Sequence, residues 1–303
     1  MRQQGEHGMS KPKIGFIGLG LMGAAMVGRL QSLGYELTVM GNVTRPRIDA
    51  AVAAGATEAA SPAELAAASD IVMLCMDTSE SVEKRMRGED GVIAGLTPGT
   101  IVIDFGTSLP GSTKDLGAEV AEKGATYLDA PLGRTPSHAV DGMLNIMCSG
   151  DKAAFDKVEP VLKDLGENVF HLGALGNGHT IKLINNFFAM TTANAMAEAF
   201  AMADRAGVGR QDLYDVMSAG PLKSGMMDFI KAYGIDGDPD VLAFSVRNAA
   251  KDVGYYGKMA EDLGAATIMS KCAREALNTA VDQGMGDAMV PEMVDFFARR
   301  FEK

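Results

Sequence analysis

The chain has 303 residues, 47% of them hydrophobic, and a formal net charge of −11 at pH 7. That length suits one large or two ordinary domains with a dense core. The excess of acid argues against a nucleic-acid partner, because such a surface repels phosphate backbones. No stretch is apolar enough to cross a bilayer unbroken by charge, so no membrane span is expected. The polar leader 1–12, which carries His7, lacks the apolar segment of a signal peptide; a flexible extension is expected there, with Met9 as an alternative start.

In chain order, the first half alternates short apolar runs with alanine-rich helical stretches. Strands are predicted over 13–18, 36–40, 70–76, 100–105, 125–130, 143–148 and 168–172, with helices such as 22–33, 45–54 and 62–68 between them. Wholly apolar strands separated by helices indicate parallel strands buried on both faces. The expected fold class is therefore α/β, with a doubly wound domain over 13–174. After Gly178 the strand signal stops, and helices are predicted at about 178–206, 210–219, 225–233, 246–263, 266–283 and 290–302. Gly207-Val-Gly209, Gly220-Pro221 and the run 234–239 are ordinary helix stops between them. An all-α domain over 175–303, serving substrate and oligomer contacts, thus begins with an interdomain helix. Cys75, Cys148 and Cys272 are scattered without metal-ligand spacing, and a reduced cytoplasmic compartment fits them.

The first predicted strand runs through Gly18-Leu-Gly20-Leu-Met-Gly23 into a helix. In this G-x-G-x-x-G pattern the first glycine permits a tight turn, the second lets backbone approach a pyrophosphate, and the third lets helix and strand pack closely. The helix N-terminus adds free N–H groups and a positive dipole end. Gly18, Leu19, Gly20, Leu21, Met22 and Gly23 are thus the expected phosphate cradle of a Rossmann domain. Met76 and Asp77, closing the strand 70–76, are grouped with them. At the end of the second strand, no acid appears before Asp49, while Asn42, Thr44, Arg45 and Arg47 are all able to contact a 2′-phosphate. That pattern favours NADP over NAD, against the alternative of two solvated arginines opening a helix.

In Gly178-His-Thr-Ile-Lys182-Leu-Ile-Asn185-Asn186 a lysine sits among apolar residues at the start of a long helix. An unpaired buried ammonium is costly, so it is either partnered, functional, or carried to water on its own stem. Helical spacing puts Asn185 and Asn186 one turn above it on roughly the same face. A cation with a carboxamide beside it is suited to polarise a carbonyl and deliver a proton.

Four segments together resemble the β-hydroxyacid dehydrogenases, which include 3-hydroxyisobutyrate dehydrogenase and the tartronate semialdehyde and glyoxylate reductases. They are the fingerprint 18–23, the run from Asp129-Ala-Pro-Leu-Gly-Arg-Thr135 to Gly142-Met-Leu, the helix 178–186, and Lys251-Asp252. The resemblance implies Lys182 as catalytic acid and base with Asn186 as its polar neighbour. It implies Lys251 and Asp252 lining the substrate site, Lys251 also touching cofactor, and Thr107 near the nicotinamide. Asn185 joins the substrate group.

One departure matters. Where the family reads serine followed by glycines, this chain has Gly133, Arg134 and Thr135. Arginine's planar fork suits bidentate binding of a carboxylate, sulfonate or phosphate. The Gly-Arg-Thr loop is also similar to that of sulfolactaldehyde reductase, although an arginine turned to solvent is the plainer alternative.

The resemblance therefore implies reversible hydride transfer between NADP, or NAD, and a small anionic aldehyde or 3-hydroxy acid, including a sulfonate analogue. A homodimer or homotetramer is expected from the apolar helical half. A non-catalytic dinucleotide-binding protein would lack the lysine, and an imine reductase would carry another residue there. His138, His171 and His179 offer no arginine–acid–histidine set of the lactate type.

Overall fold

The structure, a computed structural model, describes residues 11–41 and 45–302. Asn42, Thr44 and His7 of the sequence reading lie outside the described residues. The chain divides into two compact units, one ending at Thr180 and the other beginning at Ile181. The division falls inside the helix Asn177–Ala206, a few residues beyond the 174/175 junction read from the sequence.

Among the described residues the first unit carries nine strands: β1 (Ile14–Ile17), β2 (Leu37–Met40), β3 (Thr57–Glu58), β4 (Ile71–Leu74), β5 (Ile101–Asp104), β6 (Thr126–Asp129), β7 (Leu132–Gly133), β8 (Leu144–Cys148) and β9 (Gly166–His171). β1 to β6 form one parallel sheet in the order β3-β2-β1-β4-β5-β6. The order reverses beside β1, which is the switch point where doubly wound sheets bind ligands at their strands' C-terminal ends. The apolar strands alternate between two cores, as the two-residue side-chain period requires. Ile14, Phe16, Ile71, Met73, Ile101 and Ile103 enter one, while Ile17, Val72, Leu74 and Val102 enter the other. Both faces are covered, so these strands carry no polar side to solvent.

A second sheet has the order β7-β8-β9, with β7–β8 antiparallel and β8–β9 parallel. Its two outer pairings are short or irregular, and the register of β8 against β9 slips by one residue. Leu144 opposes Gly166, but Asn145 opposes Asn168.

The second unit continues the long helix and adds Arg210–Ser218, Gly225–Gly234, Val246–Asp262, Met269–Ala280 and Met293–Phe301. The expected helix 266–283 is shorter because Gly284 turns left-handed (φ 86°) within the single π turn Val281–Met285. Its core is built on Met190, Met196, Phe200, Met227, Ile230, Leu277, Met293 and Phe296, with methionine filling irregular gaps between helices. Ser245 caps Val246–Asp262 by accepting from the Asn248 N–H at 3.3 Å, which fixes the start of the helix bearing Lys251 and Asp252. No helix among the described residues is long and apolar enough to cross a membrane.

Candidate active site

The three fingerprint glycines separate by what a side chain would meet at each. Gly18 turns the chain out of β1 with φ +98°, and a Cβ there would lie 2.4 Å from the Cys75 carbonyl oxygen. Only glycine takes that conformation without strain. A Cβ on Gly23 would lie 2.0 Å from the Gly18 carbonyl oxygen, so the helix Leu21–Ser32 is packed directly on the turn. At Gly20 a Cβ would meet no atom within 4 Å. Gly20 therefore leaves a cradle open at the N-terminus of that helix, where no side chain caps the first N–H groups and no acid opposes an anion. Leu19 is buried, Met22 half-buried and Leu21 exposed. The residues present fit a dinucleotide pyrophosphate. Met76 closes beside Gly18, and Asp77 follows it, exposed, beyond the end of β4.

At the end of β2 a cavity of about 440 Å³ is lined by Met40, Gly41, Arg45, Ile48, Glu58 and Ala59 among others. Arg45 does not reach into it as a free cation. Its guanidinium is held by Glu58 at 2.6 Å and by Asp49 at 2.6 Å. Arg47 is half-buried and makes no ion pair among the described residues.

Asp104 at the end of β5 is fully buried and shapes the next loop, accepting from the Gly106 N–H and the Ser108 hydroxyl, each at 2.8 Å. That turn carries Thr107, half-buried, on the same edge of the sheet. Burial, and then the Asp104 carboxylate, push the Cys75 thiol up to about 12. It is therefore protonated at neutral pH and no thiolate nucleophile.

Beyond β6, Arg134 is the one non-glycine described residue with positive φ, at +76°. A left-handed arginine costs about 1–2 kcal/mol. Its Nη1 donates to the Met143 carbonyl at 2.7 Å and to Glu167 Oε2 at 2.5 Å. The side chain is 28% exposed, so it is neither loose in solvent nor unpartnered. The Thr135 hydroxyl lies 2.7 Å from Ser137 Oγ and 2.7 Å from His138 Nδ1. Gly133 pairs with Asn145 across β7–β8.

Asp129, at the end of β6, accepts from the Gly176 N–H (Oδ1) and the His179 N–H (Oδ2), each at 2.8 Å. It also accepts from Ser149 Oγ, which in turn accepts from the Gly178 N–H at 2.9 Å. Three N–H groups at the start of the helix Asn177–Ala206 are thereby satisfied by buried partners, as a helix start out of water requires. His179 is buried with Nδ1 2.7 Å from Thr113 Oγ1. That hydroxyl also lies 3.1 Å from the Leu109 carbonyl, to which it donates. His179 is thus a structural residue of the first unit.

In the second unit, Lys182 is half-buried. Burial is the largest influence on its ammonium and pushes the pKa below 10.5; Asp252 opposes that and Lys251 reinforces it. Asp252 is buried, and its Oδ2 accepts from Asn186 Nδ2 at 2.6 Å. Lys251 Nζ stands 3.0 Å from Asp252 Oδ1, off hydrogen-bond geometry, so that buried oxygen keeps no hydrogen-bond partner. Phe187 stacks on Tyr256 at 4.3 Å, packing the two helices beside this group. Asn185 is exposed, its amide 3.4 Å from Asn186 Oδ1. Lys182, Asn186, Lys251 and Asp252 thus form one cluster, a lysine shifted toward the neutral amine beside a buried carboxylate–carboxamide pair.

Residues 13–173 match the NAD binding domain of 6-phosphogluconate dehydrogenase, and residues 176–297 match the NAD-binding domain of NADP-dependent 3-hydroxyisobutyrate dehydrogenase. The chain belongs to the β-hydroxyacid dehydrogenase family. It is 31% identical to a probable 3-hydroxyisobutyrate dehydrogenase-like 3 of Arabidopsis thaliana, over 85% of this chain and 77% of the relative. A 2-(hydroxymethyl)glutarate dehydrogenase of Eubacterium barkeri is 32% identical over 71% of each chain. Among solved structures, 3-hydroxyisobutyrate dehydrogenase of Mycobacterium tuberculosis with L-serine superposes at a TM-score of 0.85 with 25% identity, covering 95% of this chain and 99% of that one.

As a β-hydroxyacid dehydrogenase the chain is an NAD(P)-binding oxidoreductase acting on a hydroxy acid. Sequence reasoning missed two strand residues that hold these candidate segments in place. Asp129 stood in a recognised segment without a role, and only its bonds to a helix start 47 residues away give it one. Glu167 carried no signal beyond an acid just before the strand predicted over 168–172.

Proposed function

We propose that the protein reversibly interconverts a small 3-hydroxy acid, or its sulfonate analogue, and the corresponding semialdehyde, with NADP preferred over NAD. The observation that carries this reading is Lys182, held beside buried Asp252 and Asn186 and shifted by burial toward its neutral form. A lysine whose neutral amine is brought within easier reach suits an acid in reduction and a base in oxidation. Bound nicotinamide supplies the hydride donor or acceptor; Gly18–Gly23 hold its pyrophosphate, with Thr107, Met76, Asp77 and Lys251 toward the rest of it. Lys182 hydrogen-bonds the substrate oxygen, supports alkoxide charge in the transition state, and gives or takes the proton at that atom. Asn186, fixed by Asp252, orients the lysine, and Asn185 and Asp252 face substrate. Arg134, with backbone of Gly133 and Thr135, takes the anionic end.

For the cofactor, Arg47 is half-buried and makes no ion pair among the described residues, which supports recognition of a 2′-phosphate; Arg45 is shared with Glu58 and Asp49. The three free cysteines suit a cytoplasmic enzyme. The deciding experiment is a panel of three- and four-carbon aldehydes and hydroxy acids, carboxylated, sulfonated or uncharged, each assayed with NADH and NADPH. Turnover confined to uncharged substrates would sink the acid assignment.

A further inference from the structure

The slip between β8 and β9 leaves Glu167 opposite no residue: Leu144 opposes Gly166 and Asn145 opposes Asn168. One extra residue in a strand re-aims its side chain, and such bulges are rare in parallel pairs. Here the re-aimed carboxylate meets Arg134 Nη1 at 2.5 Å, across 33 residues of sequence, and the Met143 carbonyl takes the same nitrogen at 2.7 Å. Two acceptors on one nitrogen fix the plane of the guanidinium. The Nε and Nη2 N–H groups have no acceptor among the described residues, so their shared edge remains as a two-pronged fork of the shape that carboxylates and sulfonates match.

We propose that Glu167 is a positioning and specificity-determining residue for the substrate loop. By holding Nη1 it presents the Nε–Nη2 edge of Arg134 to the substrate's anionic end. By cancelling the arginine's charge beforehand it admits a monoanion and disfavours a dianion. A carboxylate or sulfonate brings one negative charge to a pair whose sum is zero; a phosphonate or phosphate brings up to two, the second repelled by Glu167. This inference rests on the reading that Arg134 receives the anion, and it names the substrate class that reading leaves open.

Three variants test it, each assayed with three-carbon aldehydes ending in carboxylate, sulfonate or phosphonate. Glu167→Ala removes acceptor and charge together, and should raise KM for the carboxylate and sulfonate substrates roughly tenfold, as expected when an ordered side chain is released. Its kcat should stay within about twofold, since Lys182 is untouched. Glu167→Gln keeps an acceptor without the charge. It should bring KM for the monoanions to the wild-type value or below and lower KM for the phosphonate further, by about fivefold or more. A merely structural glutamate would not produce that opposite response. Arg134→Gly separates the two readings. If it raises KM for anions while Glu167→Ala does not, the role of Glu167 is refuted and the loop assignment stands. If Arg134→Gly leaves KM unchanged, the loop assignment fails and takes the inference with it.

Discussion

Gly20 and Gly23 are three residues apart in the same fingerprint, yet alanine should harm them in different ways. At Gly20 the backbone is extended (φ −68°, ψ −166°), a conformation alanine adopts freely, and the added Cβ meets nothing within 4 Å. The fold should tolerate Gly20→Ala, with at most a few tenths of a kcal/mol lost at the helix cap. The methyl would instead occupy the space that lets backbone approach a pyrophosphate. Weakening one or two charge-assisted hydrogen bonds, at about 1.5–3 kcal/mol each, corresponds to roughly 10- to 150-fold in cofactor Kd for one bond.

At Gly23 the Cβ would sit 2.0 Å from the Gly18 carbonyl oxygen, and the obstacle is backbone that cannot rotate away. Overpacking of this kind costs about 1–3 kcal/mol or more, which lowers Tm by roughly 2–12 °C at a slope of about 2–4 °C per kcal/mol for a unit this size. Thermal melts without cofactor and fluorescence titration with NADPH separate the two effects. A Gly20→Ala variant that melts like wild type and also binds NADPH like wild type would refute the placement of the cradle.

Lys182→Ala should lower kcat by about 10²–10⁴ while NADPH affinity holds, and Lys182→Arg should not rescue it, since guanidinium keeps its proton; stopped-flow turnover and a cofactor titration check both. Because the folded pKa of Lys182 lies below 10.5, oxidation should rise with pH as the amine forms, and reduction should fall along the same limb. Asp252→Asn removes the charge that holds the proton on, so the limb in the kcat profile should move to lower pH; a shift upward would contradict the coupling. Replacing Arg45 and Arg47 by alanine should weaken NADPH far more than NADH, and equal losses by titration would count against a 2′-phosphate site. Ile181, Ile184 and Phe188 are 39%, 48% and 71% exposed on one face of the lysine helix, so a homodimer or homotetramer burying more than about 2,000 Å² is expected; a monomer by light scattering at micromolar concentration would refute it.

Much of the site was legible locally. The seven strands read as apolar runs all appear, most plainly β1, β4 and β5, which are buried throughout, whereas β8 and β9 keep polar or exposed positions. The fingerprint was readable because two of its glycines answer local constraints, the positive φ at Gly18 and the packing of Gly23 on the Gly18 carbonyl. Lys182 and Asn186 share a helical face by spacing alone.

What the sequence did not reveal lies in contacts between distant segments. β3 and β7 are two residues each, too short for any periodicity, and exist because a neighbouring strand offers its edge. Asn186 meets Asp252 across 66 residues, and Asp129 reaches the lysine helix at His179 across 50. Arg45 looked like a free cation until folding set Glu58 against it. Arg134 carries the same lesson furthest. Composition showed that a guanidinium stood in the loop, but its direction follows from a one-residue slip between β8 and β9 that places Glu167 beside it. Local propensity determines which segments form helix or strand; the register between strands, which no single segment encodes, decides which charges meet.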